Sequence, residues 1–158
     1  MFIPNEIKIG ILGAGGKMGV RLATNLQSTS YGVDHVEISP EGRARLKETV
    51  GVDCVELETA VSGADVVILA VPDRLIGSVS DQIIDKVSPG TALIVLEAAA
   101  PHAEKMPNRK DVTIFVSHPC HPSLFSFETD PKAQRDFFGG VHAVQHIVCA
   151  LMQGPEEH

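Results

Sequence analysis

The chain has 158 residues and a formal net charge of −7. This length suits one domain with a proper core, and a hydrophobic content of 44% excludes a disordered chain. Because an acidic chain without a run of Lys or Arg lacks the charge pattern of a nucleic-acid binder, we predict no nucleic-acid partner.

The N-terminal segment and the cysteines indicate where the protein is located. The segment before the first glycine cluster contains Glu6 and Lys8 and matches neither a signal peptide nor a membrane span, so we predict no membrane partner. The 3 cysteines, Cys54, Cys120 and Cys149, are an odd number without a CxxC pair. Reduced thiols and a cytoplasmic location are therefore predicted.

Strand and helix patterns alternate along the chain. In chain order, the predicted elements are strand Ile7–Leu12, helix Gly16–Gln27, strand Val33–Ile38, helix Glu41–Val50, strand Cys54–Leu57, strand Ala64–Val71, helix Leu75–Val87, strand Thr91–Leu96 and strand Val112–Val116. This order predicts an α/β fold with a doubly wound, mostly parallel sheet and helices on both faces, as in dinucleotide-binding Rossmann domains.

A glycine cluster lies between the first strand and the first helix, where such folds bind a diphosphate. Gly13 permits a tight turn, Gly15 lets the backbone approach a pyrophosphate, and the helix start offers N–H groups to an anion. The cluster departs from GxGxxG, since Met18 stands at the third glycine position and Gly19 follows. We predict that the pyrophosphate is bound by Gly13, Ala14, Gly15, Gly16, Lys17 and Met18.

Residues at the ends of two further strands complete the predicted cofactor site. Glu37 lies at the end of the second strand, close to the usual distance of about 20 residues past the glycines, and its carboxylate would bind ribose hydroxyls and repel the 2′-phosphate of NADP. NAD is therefore the predicted cofactor, although Arg43 and Arg45 on the next helix leave a phosphate contact open. Val71, Pro72 and Asp73 end another strand and are predicted to border the nicotinamide.

Histidines follow the last predicted strand. His118 and His121 flank Pro119 and Cys120, and this group has three possible roles: metal binding, substrate orientation or proton transfer. We predict both histidines as catalytic residues. A second pair, His142 and His146, is spaced for one helix face, where packing is the simpler interpretation.

The C-terminal segment from Val141 to Met152 is apolar on every side of a predicted helix. A helix of this kind must be buried all round, and little chain follows to cover it. We therefore expect either a homodimer through this helix or a longer protein of which this chain is the front part.

Taken together, several runs resemble the D-apionate oxidoisomerase family of the 6-phosphogluconate and β-hydroxyacid dehydrogenase superfamily. The resemblance covers essentially the whole chain and rests on Gly13–Gly19, Val71–Asp73, His118–Phe125, Asp136–Gly140 and Gln145–Glu157. It implies a Rossmann domain over 1–138 and, over 139–158, the start of a linker helix to a helical domain absent from this chain.

The same resemblance implies a reaction. It is the NAD-dependent oxidation of a branched sugar acid such as D-apionate, coupled to isomerisation to a 3-oxo acid. Such a migration needs a Lewis acid, which implies a divalent metal, Zn or Mg, with His118 as a ligand and His121 as a second ligand or a substrate-orienting group. Val144 stands where related hydroxyacid dehydrogenases have a catalytic lysine, so acid–base duty would fall to a histidine or metal-bound water.

Three other functions remain open. One is a general β-hydroxyacid or 6-phosphogluconate-type dehydrogenase. Another is a module that binds NAD(H) without turnover. The last is a metal-dependent isomerase or lyase that uses His118 and His121.

Overall fold

The computed structural model describes residues 7–120, 127–136, 142–143 and 146–154. Its strands are β1 (Lys8–Leu12), β2 (Gly32–Val36), β3 (Val66–Leu69), β4 (Ala92–Val95), β5 (Thr113–Cys120) and β6 (His146–Gln153). Its helices are α1 (Lys17–Leu26), α2 (Pro40–Val50), α3 (Leu57–Val61), α4 (Asp73–Ile83) and α5 (Ala99–His102), with a 3-10 turn at Ala133–Arg135. In these described ranges, no helix is long and apolar enough to cross a membrane.

The strands form one sheet in the order β2-β1-β3-β4-β5-β6. Strands β1 to β5 run parallel, and β6 runs antiparallel to β5. Because β1 lies between β2 and β3, the chain changes direction across the sheet at the carboxyl end of β1, which is where open α/β sheets bind their ligands. The prediction of a doubly wound, mostly parallel sheet is confirmed.

Apolar residues are buried on both faces of this sheet. Val67 and Leu69 of β3 belong to one core cluster, whereas Ile68 belongs to a second. The first cluster includes residues of α3 and α4, and the second includes residues of α1 and α2. Burial on both faces explains why the strands read as nearly continuous apolar runs.

The strand predicted over Cys54–Leu57 is wrong. One backbone hydrogen bond ties this segment to β2, from the Val55 N–H to the His35 carbonyl at 2.8 Å, and α3 then begins at Leu57. Leu57, Ala60 and Val61 have helical spacing, and this apolar pattern decides the structure.

The apolar helix predicted over Val141–Met152 is also wrong where the structure describes it, because His146–Gln153 forms β6. A short run that is apolar throughout has no periodicity to separate helix from strand. Pairing with β5 makes this segment a strand. His142 and His146 therefore do not share a helix face. The expected burial is absent as well: Ile147 is 59% exposed and Leu151 is 54% exposed.

This pairing also lengthens β5 beyond its predicted end at Val116. Parallel pairing with β4 stops at Val116, and the residues from Ser117 to Cys120 pair only with β6. His118 therefore lies within a strand, opposite Val148, and not in a turn after it.

Candidate functional site

The turn after β1 is tied to the end of β2. Gly13 has a φ of +82°, a left-handed conformation that favours glycine. The N–H groups of Gly13 and Ala14 both donate to the Val36 carbonyl, at 2.9 and 3.0 Å. The N–H of Gly16 then donates back to the Gly13 carbonyl at 3.1 Å, so the turn closes tightly just before α1.

Two other glycines are required by helix packing. A Cβ at Gly15 would collide with the backbone of Gly42 on α2, so this glycine lets α2 approach the turn. A Cβ at Gly19 would collide with Gly13 and would lie 2.6 Å from the Ala14 Cα. Gly19 thus provides the close packing of helix on turn that the third glycine of GxGxxG usually provides, one position later.

Helix α1 begins directly after the turn. In the described part of the chain, no side chain caps its start at Gly16, and its first turn contains no acidic residue. Backbone N–H groups at such a helix start attract anions. Lys17 is exposed and Met18 is half-buried at this point.

Glu37 lies directly after β2 and is held by backbone groups. Its Oε2 accepts the Gly15 N–H at 3.0 Å, and its Oε1 accepts the Ser39 N–H at 2.9 Å. Ser39 in turn caps α2, because its hydroxyl accepts the Gly42 N–H at 2.9 Å and Pro40 occupies the first helical turn. The local sequence therefore fixes the carboxylate against the glycine turn.

The two arginines of α2 lie beside this carboxylate. Arg43 Nε donates to the Glu37 carbonyl at 2.5 Å, and Arg45 Nη1 donates to the Gly15 carbonyl at 2.6 Å. Both guanidinium groups are thus engaged with backbone oxygens of the site.

A groove of about 360 Å³ lies over this edge of the sheet. Among the predicted cofactor residues, those lining it are Gly13, Gly15, Gly16, Glu37, Val71 and Pro72. Ala14, Lys17, Met18 and Asp73 are not among its lining residues. Ala14 is fully buried, and Asp73 begins α4 and borders a second, shallower cavity.

The groove also includes residues that the sequence analysis did not assign to the site. Ile38, Ser39 and Gly42 line it next to Glu37, and Ile38 is 87% exposed. An exposed large apolar side chain at the groove offers apolar contact area to a ligand. The signal in the sequence was their position at the junction between the end of the second strand and the start of the next helix.

His118 lies farther along the same edge, beside the end of β4. Its Nδ1 is 3.1 Å from the Leu96 carbonyl and 3.3 Å from Glu97 Oε2. Since a carbonyl only accepts, Nδ1 carries the hydrogen in the neutral ring, and the lone pair is on Nε2. Glu97 is itself fixed, because its Oε1 accepts the N–H groups of Ala98 and Ala99 at 2.8 and 3.1 Å.

Glu97 is a residue that the sequence analysis missed. It follows the predicted strand Thr91–Leu96 directly, which was the available signal. His121 and Val144, which also bear on the predicted chemistry, lie outside the described residues. Within the part of the chain that is described, no group of three or more His, Cys, Asp or Glu residues could hold a metal ion.

A parallel sheet with a glycine turn at its switch point and an acid after β2 defines a dinucleotide-binding Rossmann domain. Comparison with known families agrees with this class. The chain belongs to the family described as NADP oxidoreductase coenzyme F420-dependent, whose model matches residues 8–101. A second model, phosphogluconate dehydrogenase (decarboxylating) C-term, matches residues 126–158.

Curated relatives confirm the resemblance to the D-apionate oxidoisomerases. The chain is 57% identical over 150 residues to the D-apionate oxidoisomerase of Cupriavidus necator, covering 95% of this chain and 54% of the relative. It is 55% identical over 148 residues to that of Rhizobium rhizogenes, covering 94% and 54%. The chain therefore spans about half the length of the curated relatives it matches.

A solved structure matches in fold and sequence. It is a semialdehyde dehydrogenase NAD-binding protein from Cupriavidus necator in complex with calcium and NAD, at 56% identity and a TM-score of 0.84. The match covers 96% of this chain and 55% of that chain.

Proposed function

We propose that this chain is the NAD-binding part of an oxidoreductase that oxidises a branched sugar acid such as D-apionate, with coupled isomerisation to a 3-oxo acid. The observation that carries the proposal is the groove in which the glycine turn, the start of α1 and the Glu37 carboxylate meet. The names of the relatives support the substrate class, and the NAD held by the solved neighbour supports the cofactor.

The residues of the groove fit a dinucleotide. The start of α1 at Lys17 and Met18 would hold the pyrophosphate through backbone N–H groups. The N–H groups of the turn from Gly13 to Gly16 donate to Val36, Glu37 and Gly13, so the turn would shape the space for the pyrophosphate. Glu37 would accept hydrogen bonds from the adenosine ribose, since each carboxylate oxygen has lone pairs beyond the one N–H it accepts. Val71, Pro72 and Asp73 would border the nicotinamide, and bound NAD supplies the hydride acceptor.

The charge of Glu37 favours NAD over NADP. A 2′-phosphate placed on the ribose would meet this carboxylate at close range. Arg43 and Arg45 do not reverse the preference, because each donates to a backbone carbonyl of the site. The family description names NADP, so the preference must be measured.

Isothermal titration of the chain with NAD and with NADP tests this function directly. We expect NAD to bind at least tenfold more tightly, a difference of about 1.4 kcal/mol. Tighter binding of NADP would overturn the role given to Glu37, and no heat with either nucleotide would overturn the function itself.

For catalysis, we propose that His118 moves a proton or binds a metal through Nε2, with His121 beside it in the sequence. The Leu96 carbonyl and the Glu97 carboxylate both face Nδ1, which favours the tautomer with its lone pair on Nε2.

We further propose a divalent cation, Zn or Mg, with His118 as one ligand. The donors fit in one respect: Glu97 and the Leu96 carbonyl face Nδ1, so Glu97 would orient the imidazole for a cation at Nε2 and would not itself be a ligand. The described residues supply no further ligand. Calcium in the solved neighbour supports a cation in that protein. When bound, the cation would supply Lewis-acid stabilisation of substrate oxygens.

The metal proposal is tested by titrating Zn²⁺ and Mg²⁺ into the wild-type chain and into His118→Ala. The matched control is His102→Ala, which removes an exposed histidine at the end of α5. We expect binding to be lost only in the His118 variant. Equal binding by wild type and His118→Ala would contradict the assignment.

We also propose a helical partner domain, a homodimer and a cytoplasmic location. Because β6 pairs with β5 in the same sheet, the Rossmann sheet extends past the boundary expected at 138/139. The exposed apolar side chains of Ile147, Val148, Leu151 and Met152 on β6 support the dimer. Cys54 and Cys149 are free thiols, which supports a reducing compartment.

A further inference from the structure

The backbone of Gly15 is hydrogen-bonded through both its N–H and its carbonyl. Its N–H donates to Glu37 Oε2 at 3.0 Å, and its carbonyl accepts from Arg45 Nη1 at 2.6 Å. The carbonyl of Gly15 and the N–H of Gly16 belong to one planar peptide group. That N–H donates to the Gly13 carbonyl, so Arg45 and Gly13 fix the same peptide plane from opposite ends.

This peptide plane joins the turn to α1. Gly16 is the residue that precedes the first helical residue, and its orientation sets the direction of the helix start. Two successive glycines have wide conformational freedom, so an unanchored peptide at this point would sample many orientations. Fixing the plane before a ligand arrives lowers the ordering cost of binding.

We infer that Arg45 is a positioning residue of the cofactor site: it acts through the Gly15 carbonyl to preorganise the turn that receives a diphosphate. The inference rests on the proposed function for its ligand. This role does not require Arg45 to contact the ligand. Arg45 holds the Gly15 carbonyl, and Glu37 holds the Gly15 N–H.

A direct contact is the competing explanation, since Arg45 also lines the groove. Its charge would then attract the diphosphate, and salt would screen the attraction. If Arg45 instead holds the backbone, its contribution to binding should not fall with added salt, because a short hydrogen bond to a carbonyl depends little on ionic strength. The two explanations therefore separate on salt dependence.

The variants are Arg45→Met, which keeps the stem and removes the donor, and Arg45→Lys, which retains a donor. Lys47→Met is the matched control on the same helix, since Lys47 is paired with Asp53 and does not line the groove. Both positions are exposed, and thermal unfolding of each variant checks the fold. The probes are ADP, which has a diphosphate, and adenosine, which has none.

We expect Arg45→Met to weaken ADP binding about tenfold and adenosine binding less than about twofold. Arg45→Lys should recover most of the loss, and Lys47→Met should bind ADP within about twofold of wild type. The loss in Arg45→Met should persist when NaCl is raised from about 50 mM to about 500 mM. An unchanged ADP affinity, equal losses for ADP and adenosine, or a loss that vanishes in high salt would overturn the inference.

A second readout does not depend on ligand binding. In the ligand-free chain, hydrogen exchange at the Gly16 amide should be faster by about tenfold in Arg45→Met and unchanged in Lys47→Met. If wild type binds neither ADP nor NAD, the proposed function fails, and exchange at Gly16 then decides whether Arg45 positions the turn. Equal exchange in wild type and Arg45→Met would overturn the inference whatever the ligand result.

Discussion

Replacing Glu37 with Ala tests the centre of the proposed site. The carboxylate accepts two backbone N–H groups, at 3.0 Å from Gly15 and 2.9 Å from Ser39, and it faces the groove. The substitution therefore removes an acceptor for the ribose and, at the same time, the hydrogen bond that holds Gly15 of the glycine turn.

The expected magnitude follows from these bonds. Hydrogen bonds to a charged group contribute about 1.5–3 kcal/mol each, and the half-buried position of Glu37 places this case near the lower end. NAD affinity should therefore fall roughly 10- to 30-fold. The free energy of unfolding should fall by only about 1 kcal/mol, because water can reach the two N–H groups left behind.

Isothermal titration with NAD and urea unfolding measure the two effects separately. Glu48→Ala is the matched control, since it removes an exposed acid of α2 that does not line the groove. It should bind NAD as wild type does. Wild-type NAD affinity in Glu37→Ala, with the fold intact, would refute the reasoning.

Three further substitutions test the packing of α1 on the glycine turn, the pH dependence of stability and the dimer. Gly19→Ala should lower the free energy of unfolding by about 2 kcal/mol, since its Cβ would lie 2.6 Å from the Ala14 Cα; unchanged stability in urea would contradict the packing. Burial lowers the pKa of His35, opposed in part by the Asp34 carboxylate. The unfolded chain then binds more protons, so stability should fall as pH drops below about 6.5, and the fall should be shallower in His35→Asn than in wild type. Equal pH slopes in urea would refute this. Leu151→Lys should shift the chain from dimer to monomer in light scattering, and a monomeric wild type would exclude the dimer.

The predicted cofactor site at the end of β1 and β2 could be predicted from sequence, because the residues that define it are close together in the chain. A strand that stops at a glycine cluster, followed by a helix and a second strand with an acid at its end, fixes the positions of Gly13 and Glu37 before any tertiary contact is known. The structure adds the role of Gly19. From spacing alone, this glycine lies one residue after the third glycine position of GxGxxG.

The other end of the sheet depends on contacts between distant segments. Nothing within His146–Gln153 distinguishes strand from helix, and only its pairing with β5 makes it β6. The same pairing draws His118 into β5. The contact of His118 with Glu97 joins the ends of two neighbouring strands, and no single run of sequence contains that information.

The hydrogen bond from Gly15 to Glu37 has an evolutionary consequence. In Rossmann domains, the acid after the second strand binds the ribose of NAD, so its loss would remove one barrier to NADP. Here that loss also loosens the phosphate turn, so a mutant that tolerates NADP would lose affinity for both coenzymes. A lineage leaving NAD behind would first have to add a cation, and the exposed Ile38 at the groove rim is the position where one fits without disturbing the turn.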